Sequence, residues 1–287
     1  MIVVAGGTGR LGRVLVERFR ERGEEVRILS RKPEHAGDVC DADAVDRAVA
    51  GARVVVSAMS AFGMKGVSPR AVDWQGNANL IAAAEKHGVE RFVLVSVLGA
   101  SHDHPMELAR MKHRAEERLK TTKLAWTILR PSTFTETFQR VVCAPLLEKG
   151  KTVVFGQANN PINFVSVHDV ARFVVLGATD PALVGTTTDI GGPENLSLVQ
   201  FVEAFRTAVG VSGTVKHIPR PMMRFLSYAA RPFAPTFARM VQAGVVMDTT
   251  DMTFDATSLR QRFPGIVLAT VDEVARRDYA GRSGPEA

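Results

Sequence analysis

The sequence predicts an α/β protein in which a Rossmann-type, doubly wound parallel sheet is followed by a smaller carboxy-terminal substrate or lid region. Two observations support this fold class. At the amino end, a glycine-rich loop stands between an apolar run of strand length and an amphipathic helical pattern. Short apolar runs then alternate with helical patterns through the first half of the chain, which is typical of a parallel sheet covered by helices on both faces.

The glycine-rich loop has the spacing of a dinucleotide-binding turn. Gly6 permits a tight turn, Gly9 lets the backbone approach a pyrophosphate, and Gly12 lets the next helix pack closely on the strand. The amino end of that helix presents N–H groups and a positive dipole end to phosphates, so we expect a diphosphate here. A glycine turn without a ligand is the alternative. The cofactor-binding residues predicted in this turn are Gly6, Thr8, Gly9, Arg10, Leu11 and Gly12.

The other elements are predicted from apolar periodicity and from turn and capping residues. Strands are expected near residues 26–30, 37–39, 53–58, 91–97, 124–129, 152–155 and 162–167. Helices are expected at 71–87, 106–120 and 198–209, with further helices capped by Asp41 or Asp43 and by Asp169. We divide the chain into an NAD(P)-binding Rossmann domain at 1–130 and a smaller α/β substrate or lid region at 131–287, partly interleaved with the first.

Composition and charge exclude several classes of protein. The net charge is +6, but 36 basic residues are dispersed among 30 acidic ones, so nucleic acid is not an expected partner. Cys40 and Cys143 are far apart and have no metal-ligand spacing, which favours a reducing cytoplasm and predicts no metal site. We find no signal-peptide pattern and no apolar run of bilayer length, so we expect a cytoplasmic protein.

The residues after the second strand indicate which nucleotide binds. An NAD site usually carries an acidic residue there, which binds the ribose hydroxyls. This chain instead has Ser30, Arg31 and Lys32. An arginine can stack on adenine and pair with a 2′-phosphate, and Arg10 adds positive charge nearby. We therefore predict NADP(H) in preference to NAD(H), with a solvated basic turn as the alternative.

The sequence resembles the atypical short-chain dehydrogenase/reductase superfamily, most closely its NmrA-like and isoflavone-reductase-like branch. The likeness extends over nearly the whole chain up to Val209 and depends on the order of its motifs. The motifs that carry it are Gly6 to Gly12, Ser30-Arg31-Lys32, Gly37-Asp38-Val39, Val56-Ser57-Ala58, Gly76 to Ala84, Gly88 to Val93, Leu129-Arg130-Pro131, Asn163-Phe164-Val165 and His168 to Ala171.

The resemblance implies further cofactor-binding residues. Asp38 and Val39 would hold the adenine edge, although Asp38 in a turn and Val39 in the core are the plain alternatives. Other residues would pass under the cofactor or line its nicotinamide side. They are Ala58, Met59, Ser60, Pro131 and Phe134.

The resemblance also implies a Ser, Tyr and Lys trio, which this chain contains only in part. Ser96 and Lys112 occupy the serine and lysine positions, and we predict both as catalytic and cofactor-binding residues. Leu108 stands where the family has its tyrosine, so the usual proton donor is absent. The same resemblance implies that Lys112 donates the proton in place of the tyrosine. The alternative is that Lys112 is an exposed lysine of the helix. His102 and His104 lie in the preceding loop and are further donor candidates, with a solvated turn as the alternative.

A basic stretch rich in methionine and phenylalanine occupies residues 216–247. Residues 204–247 contain no acidic side chain. We interpret the stretch first as a lid over a substrate pocket, then as a subunit contact, and only then as a surface that rests on anionic lipid.

Two main functions follow from these predictions. The first is an NADP(H)-dependent oxidoreductase that reduces an apolar carbonyl, enone or quinone, acting as a monomer or homodimer. The second is a non-catalytic, NmrA-like module that senses the redox state of NADP(H) or assists assembly of a partner. A nucleotide-sugar epimerase is a weaker third option, because such enzymes need the missing tyrosine.

Overall fold

The computed structural model describes residues 1–32 and 34–279. The chain forms two compact units. Unit 1 contains Met1–Pro131 and Val170–Asp189, and unit 2 contains Ser132–Asp169 and the described residues from Ile190 onward. Unit 1 is therefore built from two separate stretches of the chain, and the first stretch of unit 2 lies between them in the sequence.

The fold contains the following strands and helices. The strands are β1 (Ile2–Ala5), β2 (Val26–Leu29), β3 (Val54–Ser57), β4 (Arg91–Val95), β5 (Trp126–Pro131), β6 (Thr133–Phe134), β7 (Lys151–Phe155), β8 (Ile162–Val165), β9 (Thr186–Ile190), β10 (Glu194–Leu196) and β11 (Thr214–Ile218). The α-helices are α1 (Arg10–Glu21), α2 (Ala42–Val49), α3 (Asn77–Lys86), α4 (Glu107–Lys120), α5 (Thr135–Phe138), α6 (Ala144–Lys149), α7 (Val167–Thr179), α8 (Leu198–Val209), α9 (Arg220–Ala229), α10 (Pro235–Thr249), α11 (Thr257–Arg262) and α12 (Val271–Tyr279).

A six-stranded sheet with the order β2-β1-β3-β4-β5-β9 forms the centre of unit 1, and the predicted fold class is confirmed. Its pairs from β2 to β5 are parallel. The strands β1 and β3 are buried along their full length because helices cover both faces, and their apolar residues therefore run continuously. The chain passes from β1 to β2 on one side and then to β3 on the other, which makes the β1/β3 boundary the switch point of the sheet.

Several local predictions are confirmed in unit 1. The helix α1 buries Leu11, Leu15 and Phe19 on one face. Asp41 caps α2, because its carboxylate accepts the N–H groups of residues 43 and 44. Within residues 1–32 and 34–279, no helix combines the length and the apolar composition that a bilayer span requires.

Two local predictions were wrong, and a third was right in its extent but not in its helix type. Residues 37–39 form no strand, because Gly37 has φ +123° and the Asp38 carboxylate accepts the Cys40 N–H in a turn. The helix expected at 71–87 begins as a π-helical segment, Arg70–Gly76, before it continues as α3. Asp169 does not precede its helix but lies inside the first turn of α7, and its carboxylate accepts the Ala269 N–H.

Unit 2 combines two small sheets with helices. One sheet has the order β10-β8-β6 and the other pairs β11 with β7. Its core contains Phe164, Phe201 and Phe205, which are fully buried. The helix α8 begins with a capping box, in which Ser197 and Gln200 satisfy each other's backbone N–H groups. This capping explains why the predicted bounds of α8 match the observed ones.

Candidate functional site

The glycine turn connects β1 to α1 at the carboxyl edge of the sheet. Gly6 has φ +82°, and its N–H donates to the Leu29 carbonyl oxygen at 3.0 Å. A Cβ on Gly6 would lie 3.0 Å from the Ala58 carbonyl oxygen, and one on Gly12 would overlap the Gly6 carbonyl oxygen. Both positions therefore require glycine for packing, whereas Gly9 is exposed and leaves the loop surface open.

The amino end of α1 has no side-chain cap, a feature that it shares with several other helices such as α4, α9 and α10. Its N-cap residue is Gly9, and its first turn contains no acidic residue. Asp41 and Ser197 fill this role in α2 and α8. The first N–H groups of an α-helix have no partner within the helix, so the amino end of α1 suits an anionic ligand. Arg13 steadies the loop, because its Nε donates to the Thr8 carbonyl oxygen at 2.9 Å.

Two more predicted residues of this turn differ in their exposure. The Leu11 side chain is buried in the core, so only its backbone is placed to meet a ligand. Arg10 is half-buried at the first position of α1.

The segment after β3 lies directly beside the glycine turn. The Ala58 N–H donates to the Ala5 carbonyl oxygen at 2.9 Å, which holds the ends of β1 and β3 together. Met59 is buried, whereas Ser60 is exposed and accepts the Phe62 N–H. The structure thus brings Gly6 and residues 58–60 to the switch point of the sheet.

The predicted nucleotide-selecting residues follow β2. Arg31 and Lys32 are both exposed, and Lys32 Nζ is 3.9 Å from a carboxylate oxygen of Glu34. Val39 is buried in the core of unit 1, and its carbonyl oxygen accepts the Asn79 amide at 2.9 Å. The contacts of Asp38 and Val39 with adenine remain predictions.

Lys112 is buried in unit 1 and makes three polar contacts. Its Nζ donates to the Met59 carbonyl oxygen at 2.7 Å and to the Val95 carbonyl oxygen at 2.9 Å. It also lies 3.3 Å from Asp73 Oδ1. An ammonium group has three protons, of which two are in these hydrogen bonds, whereas Asp73 Oδ1 is paired with the ammonium group by charge and accepts no hydrogen bond from the residues that the structure describes. The alternative of an exposed helix lysine was wrong.

Asp73 is the buried carboxylate beside this ammonium group. It belongs to the π-helical segment, and its Oδ2 accepts the Ala61 N–H at 3.0 Å. Burial raises the pKa of Asp73 above its ordinary value, while the charge of Lys112 and the Ala61 N–H oppose that rise. The prediction of a lysine at this position gave no indication of its carboxylate partner.

Ser96 belongs to a second buried polar cluster, at the ends of β4 and β5. Its hydroxyl donates to Glu116 Oε1. Glu116 is fully buried. Its Oε1 accepts a hydrogen bond from Arg130 Nε at 3.0 Å, and its Oε2 accepts one from Arg130 Nη2 at 2.5 Å. The Ser96 hydroxyl proton is therefore committed, but its oxygen can still accept a hydrogen bond. Of Glu116 and Arg130, only Arg130 belongs to a motif quoted above for the family resemblance.

No tyrosine lies in unit 1, because the chain has only Tyr228 and Tyr279. Leu108 is half-buried one turn before Lys112 on α4. Tyr279 is buried in the core of unit 2, with its ring centroid 5.0 Å from that of Phe205. Tyr228 is exposed on α9. Unit 1 therefore offers no phenol as a proton donor.

The two loop histidines have different environments. His102 is almost fully exposed and pairs with the adjacent Asp103 at 2.8 Å. His104 is half-buried, and its Nδ1 accepts the Met106 N–H at 3.1 Å just before α4 begins. Burial lowers the pKa of His104, and Nδ1 as an acceptor places the neutral ring's proton on Nε2. Among the described residues, no group of three or more metal-ligating side chains occurs.

The last two predicted residues belong to different units. Pro131 is buried at the end of β5, and its carbonyl oxygen accepts the Leu98 N–H at 2.9 Å. Phe134 belongs to unit 2, where it is half-buried in β6 and pairs with Val165.

The parallel sheet, its switch point and the glycine turn at an uncapped helix define a Rossmann-type dinucleotide-binding protein. Comparison with known families agrees: the family described as NAD(P)H-binding matches residues 6–181, more than half of the chain. The chain belongs to this NAD(P)H-binding family, and its likeness to NmrA-like, atypical short-chain dehydrogenases/reductases is confirmed. It has an oxidoreductase-like fold.

Individual relatives have different functions. The chain is 26% identical over 277 residues to the photosystem II assembly factor Ycf39 of Synechocystis sp., covering 91% of this chain and 85% of that protein. It is 27% identical over 216 residues to the NAD(P)H azoreductase of Xenophilus azovorans, covering 73% and 74%. The structure of the Escherichia coli NADPH-dependent quinone oxidoreductase QOR2, complexed with NADPH, superposes with a TM-score of 0.76 at 20% identity, covering 96% and 99%.

Proposed function

We propose that the protein is an NADP(H)-dependent reductase of an apolar carbonyl, enone or quinone. The observation that carries this proposal is the open amino end of α1 at the switch point, with Arg31 and Lys32 exposed after the neighbouring strand. Backbone N–H groups of the turn would hold the diphosphate, and the two basic side chains would hold the 2′-phosphate. The bound nicotinamide would supply a hydride.

The chain's own groups would position the substrate and supply a proton. Two of the three ammonium protons of Lys112 are in hydrogen bonds to the backbone after β3 and at the end of β4, so we assign it the task of holding these ends beside the cofactor. Its third proton would be available to a ribose hydroxyl, because Asp73 Oδ1 accepts no hydrogen bond within the described part of the chain. Ser96 Oγ would accept a hydrogen bond from a water molecule, whose second proton passes to the substrate oxygen as the hydride arrives, and the hydroxide that remains would take a proton from bulk water. Glu116 and Arg130 would keep the serine in this orientation.

Steady-state assays with purified protein test this function. We expect NADPH consumption with at least one compound in a panel of quinones, enals and azo dyes, and tighter binding of NADPH than of NADH. The azoreductase and the quinone oxidoreductase motivate the panel. Clearly tighter NADH binding would overturn the choice of nucleotide.

A binding module without turnover is the second candidate. It is favoured by Leu108 at the tyrosine position and by the resemblance to the Ycf39 assembly factor. Bound NADPH that is not consumed by any compound of the panel, together with a partner protein that NADP⁺ releases, would support it.

The missing tyrosine also argues against an epimerase. The free thiols of Cys40 and Cys143 favour the cytoplasm as the proposed location, where NADPH is available.

A further inference from the structure

The helices α9 and α10 form an antiparallel hairpin in unit 2. Met223 near the start of α9 packs against Gly244 near the end of α10, so the two helices run in opposite directions. The inner face buries Met223, Ala238 and Val241. This inner face provides the packing that holds the two helices together.

The base of the hairpin is fixed to the rest of unit 2 by Asp248. This buried carboxylate forms an ion pair with Arg220 at the start of α9. Its oxygens also accept the N–H groups of Gln157 at 3.3 Å and Ala158 at 3.0 Å, in the loop after β7. The first residue of α9 and the carboxy-terminal part of α10 are therefore tied together at the base, and the connection around residues 230–235 lies at the other end of the hairpin.

The outer face and tip of the hairpin expose large apolar side chains. Phe225 is 69% exposed, Tyr228 74% and Phe233 90%. The residues around Phe233 are also exposed, and they form the apolar run Pro232-Phe233-Ala234-Pro235. We call this surface the aromatic tip; it consists of Phe225, Tyr228, Phe233 and Phe237. So many exposed apolar side chains on one element mark an interaction site.

The charge around the aromatic tip has one sign. Residues 204–247 contain no aspartate or glutamate. Arg224 and Arg231 are exposed beside the aromatic side chains, and the Arg231 guanidinium lies 5.6 Å from the centroid of the Tyr228 ring. Arg220 is neutralised by Asp248, so these two arginines carry the positive charge at the tip.

We propose that the aromatic tip docks on the surface of a bilayer that contains anionic lipid. Phenylalanine side chains at a helix surface insert at the boundary between headgroups and acyl chains, and neighbouring arginines bind lipid phosphates. The complementary charge selects this partner, because the tip offers cations and apolar surface but no carboxylate. The protein lies on the membrane and is held there by the hairpin. This inference does not depend on turnover by the proposed reductase.

Vesicle sedimentation with the intact chain tests the proposal. We expect binding to vesicles of phosphatidylcholine with phosphatidylglycerol, and little binding to pure phosphatidylcholine. Phe233→Ser is expected to weaken binding about tenfold or more. Arg224→Gln and Arg231→Gln are expected to weaken it about fivefold each, and high salt should do the same. Val267→Ser, which removes another exposed apolar side chain, and Arg20→Gln are the matched controls and should bind as the parent does.

A depth measurement distinguishes insertion from adsorption. In Phe233→Trp, lipids brominated on their acyl chains should quench the added tryptophan, whereas Val267→Trp should show no added quenching. Thermal unfolding monitors the fold of every variant without reference to cofactor. Three outcomes overturn the proposal: equal binding to neutral vesicles, no binding to either kind, or a dimer in solution that Phe233→Ser dissociates.

Discussion

Lys112 and Asp73 form a buried ion pair, in which the ammonium nitrogen is 3.3 Å from the carboxylate oxygen Oδ1. The lysine belongs to α4 and the aspartate to the π-helical segment before α3. The same ammonium group also binds the backbone after β3 and at the end of β4. The pair thus connects two helical segments to the sheet edge where the glycine turn lies.

Removal of Lys112 should destabilise the protein. Lys112→Met leaves Asp73 buried without a counter-charge, which costs about 3–5 kcal/mol of unfolding free energy. Lys112→Met combined with Asp73→Asn should regain much of this loss. Lys120→Met removes a surface lysine from the same helix and should change stability by less than about 1 kcal/mol. Chemical denaturation measures all four proteins, and equal effects of the two lysine variants would contradict the importance of the pair.

The pH dependence of Lys112→Met should report on Asp73. Burial already raises the pKa of Asp73 in the parent protein, and loss of the opposing ammonium charge raises it further. A carboxyl group whose pKa is higher in the folded than in the unfolded state stabilises the fold in its protonated form, and this stabilisation is lost as the pH rises through the pKa of the folded state. The variant should therefore regain stability relative to the parent on acidification from neutral pH, and this gain should disappear in the double variant.

Gly9→Ala should weaken cofactor binding without unfolding the protein. A Cβ on Gly9 would contact only the Gly6 carbonyl oxygen, at 3.2 Å, but it would occupy the open loop surface. We expect the dissociation constant for NADPH to rise about tenfold or more, because hydrogen bonds to a charged ligand are weakened. Gly265→Ala, at a position with open space around it, is the control. Unchanged NADPH affinity in Gly9→Ala would place the diphosphate elsewhere.

Arg31→Gln should lower the affinity for NADPH but not for NADH. A charged hydrogen bond to a 2′-phosphate contributes enough that its loss costs about 10- to 100-fold in affinity. Arg22→Gln removes another exposed arginine of unit 1 and should leave both affinities unchanged. Titration calorimetry with the two nucleotides gives the comparison. A parallel loss for both nucleotides would mean that Arg31 binds a part that they share.

Ser96→Ala should lower kcat on an accepted substrate about tenfold or more. The serine oxygen is the group that we expect to hold the proton-donating water. Ser101→Ala, in the exposed loop that follows, is the matched control. The KM for the substrate and the thermal unfolding midpoint, measured beside kcat, separate this role from general damage. A variant with unchanged kcat would remove Ser96 from the mechanism.

His104 should make stability sensitive to pH on the acidic side of neutrality. Burial lowers its pKa in the folded state below the ordinary value of about 6.5, so the unfolded chain binds the proton more readily. The neutral His104 ring therefore contributes fully to the free energy of unfolding above pH about 6.5, and this contribution is lost as the pH falls through the pKa of the folded state. His104→Asn should flatten this part of the stability profile, whereas His102→Asn, at the exposed neighbour, should not. Equal profiles for the three proteins would contradict the role of the buried ring.

Local chemistry explains which parts of the site were predictable. The glycine turn, the cap at Asp41 and the capping box at Ser197 all act within a few residues, and their sequence patterns are specific. The pairing of Glu116 with Arg130 is different, because it joins a helix to a strand and depends on how α4 packs on the sheet. Nothing in the sequence near either residue distinguishes it from an exposed charge.

Two further features also depend on tertiary packing. Val39 was matched to a family position as a cofactor residue, but its burial against the core follows from contacts with α3 and the segment before it. The π-helical start of the long helix accommodates Asp73 and Asn77, whose side chains are both fully buried. Hydrophobic periodicity does not predict such a segment, because the segment places polar side chains in the interior.

The position of β9 in the chain has a consequence for synthesis and for engineering. The sheet of unit 1 gains its sixth strand only after Thr186–Ile190 has been made, more than fifty residues after β5. A nascent or truncated chain that stops at Pro131 leaves β5 as an unpaired edge, which is a template for pairing with other chains. Expression of residues 1–131 alone should therefore yield aggregates, whereas the same fragment joined to Val170–Asp189 through a short linker should cover that edge and stay dispersed.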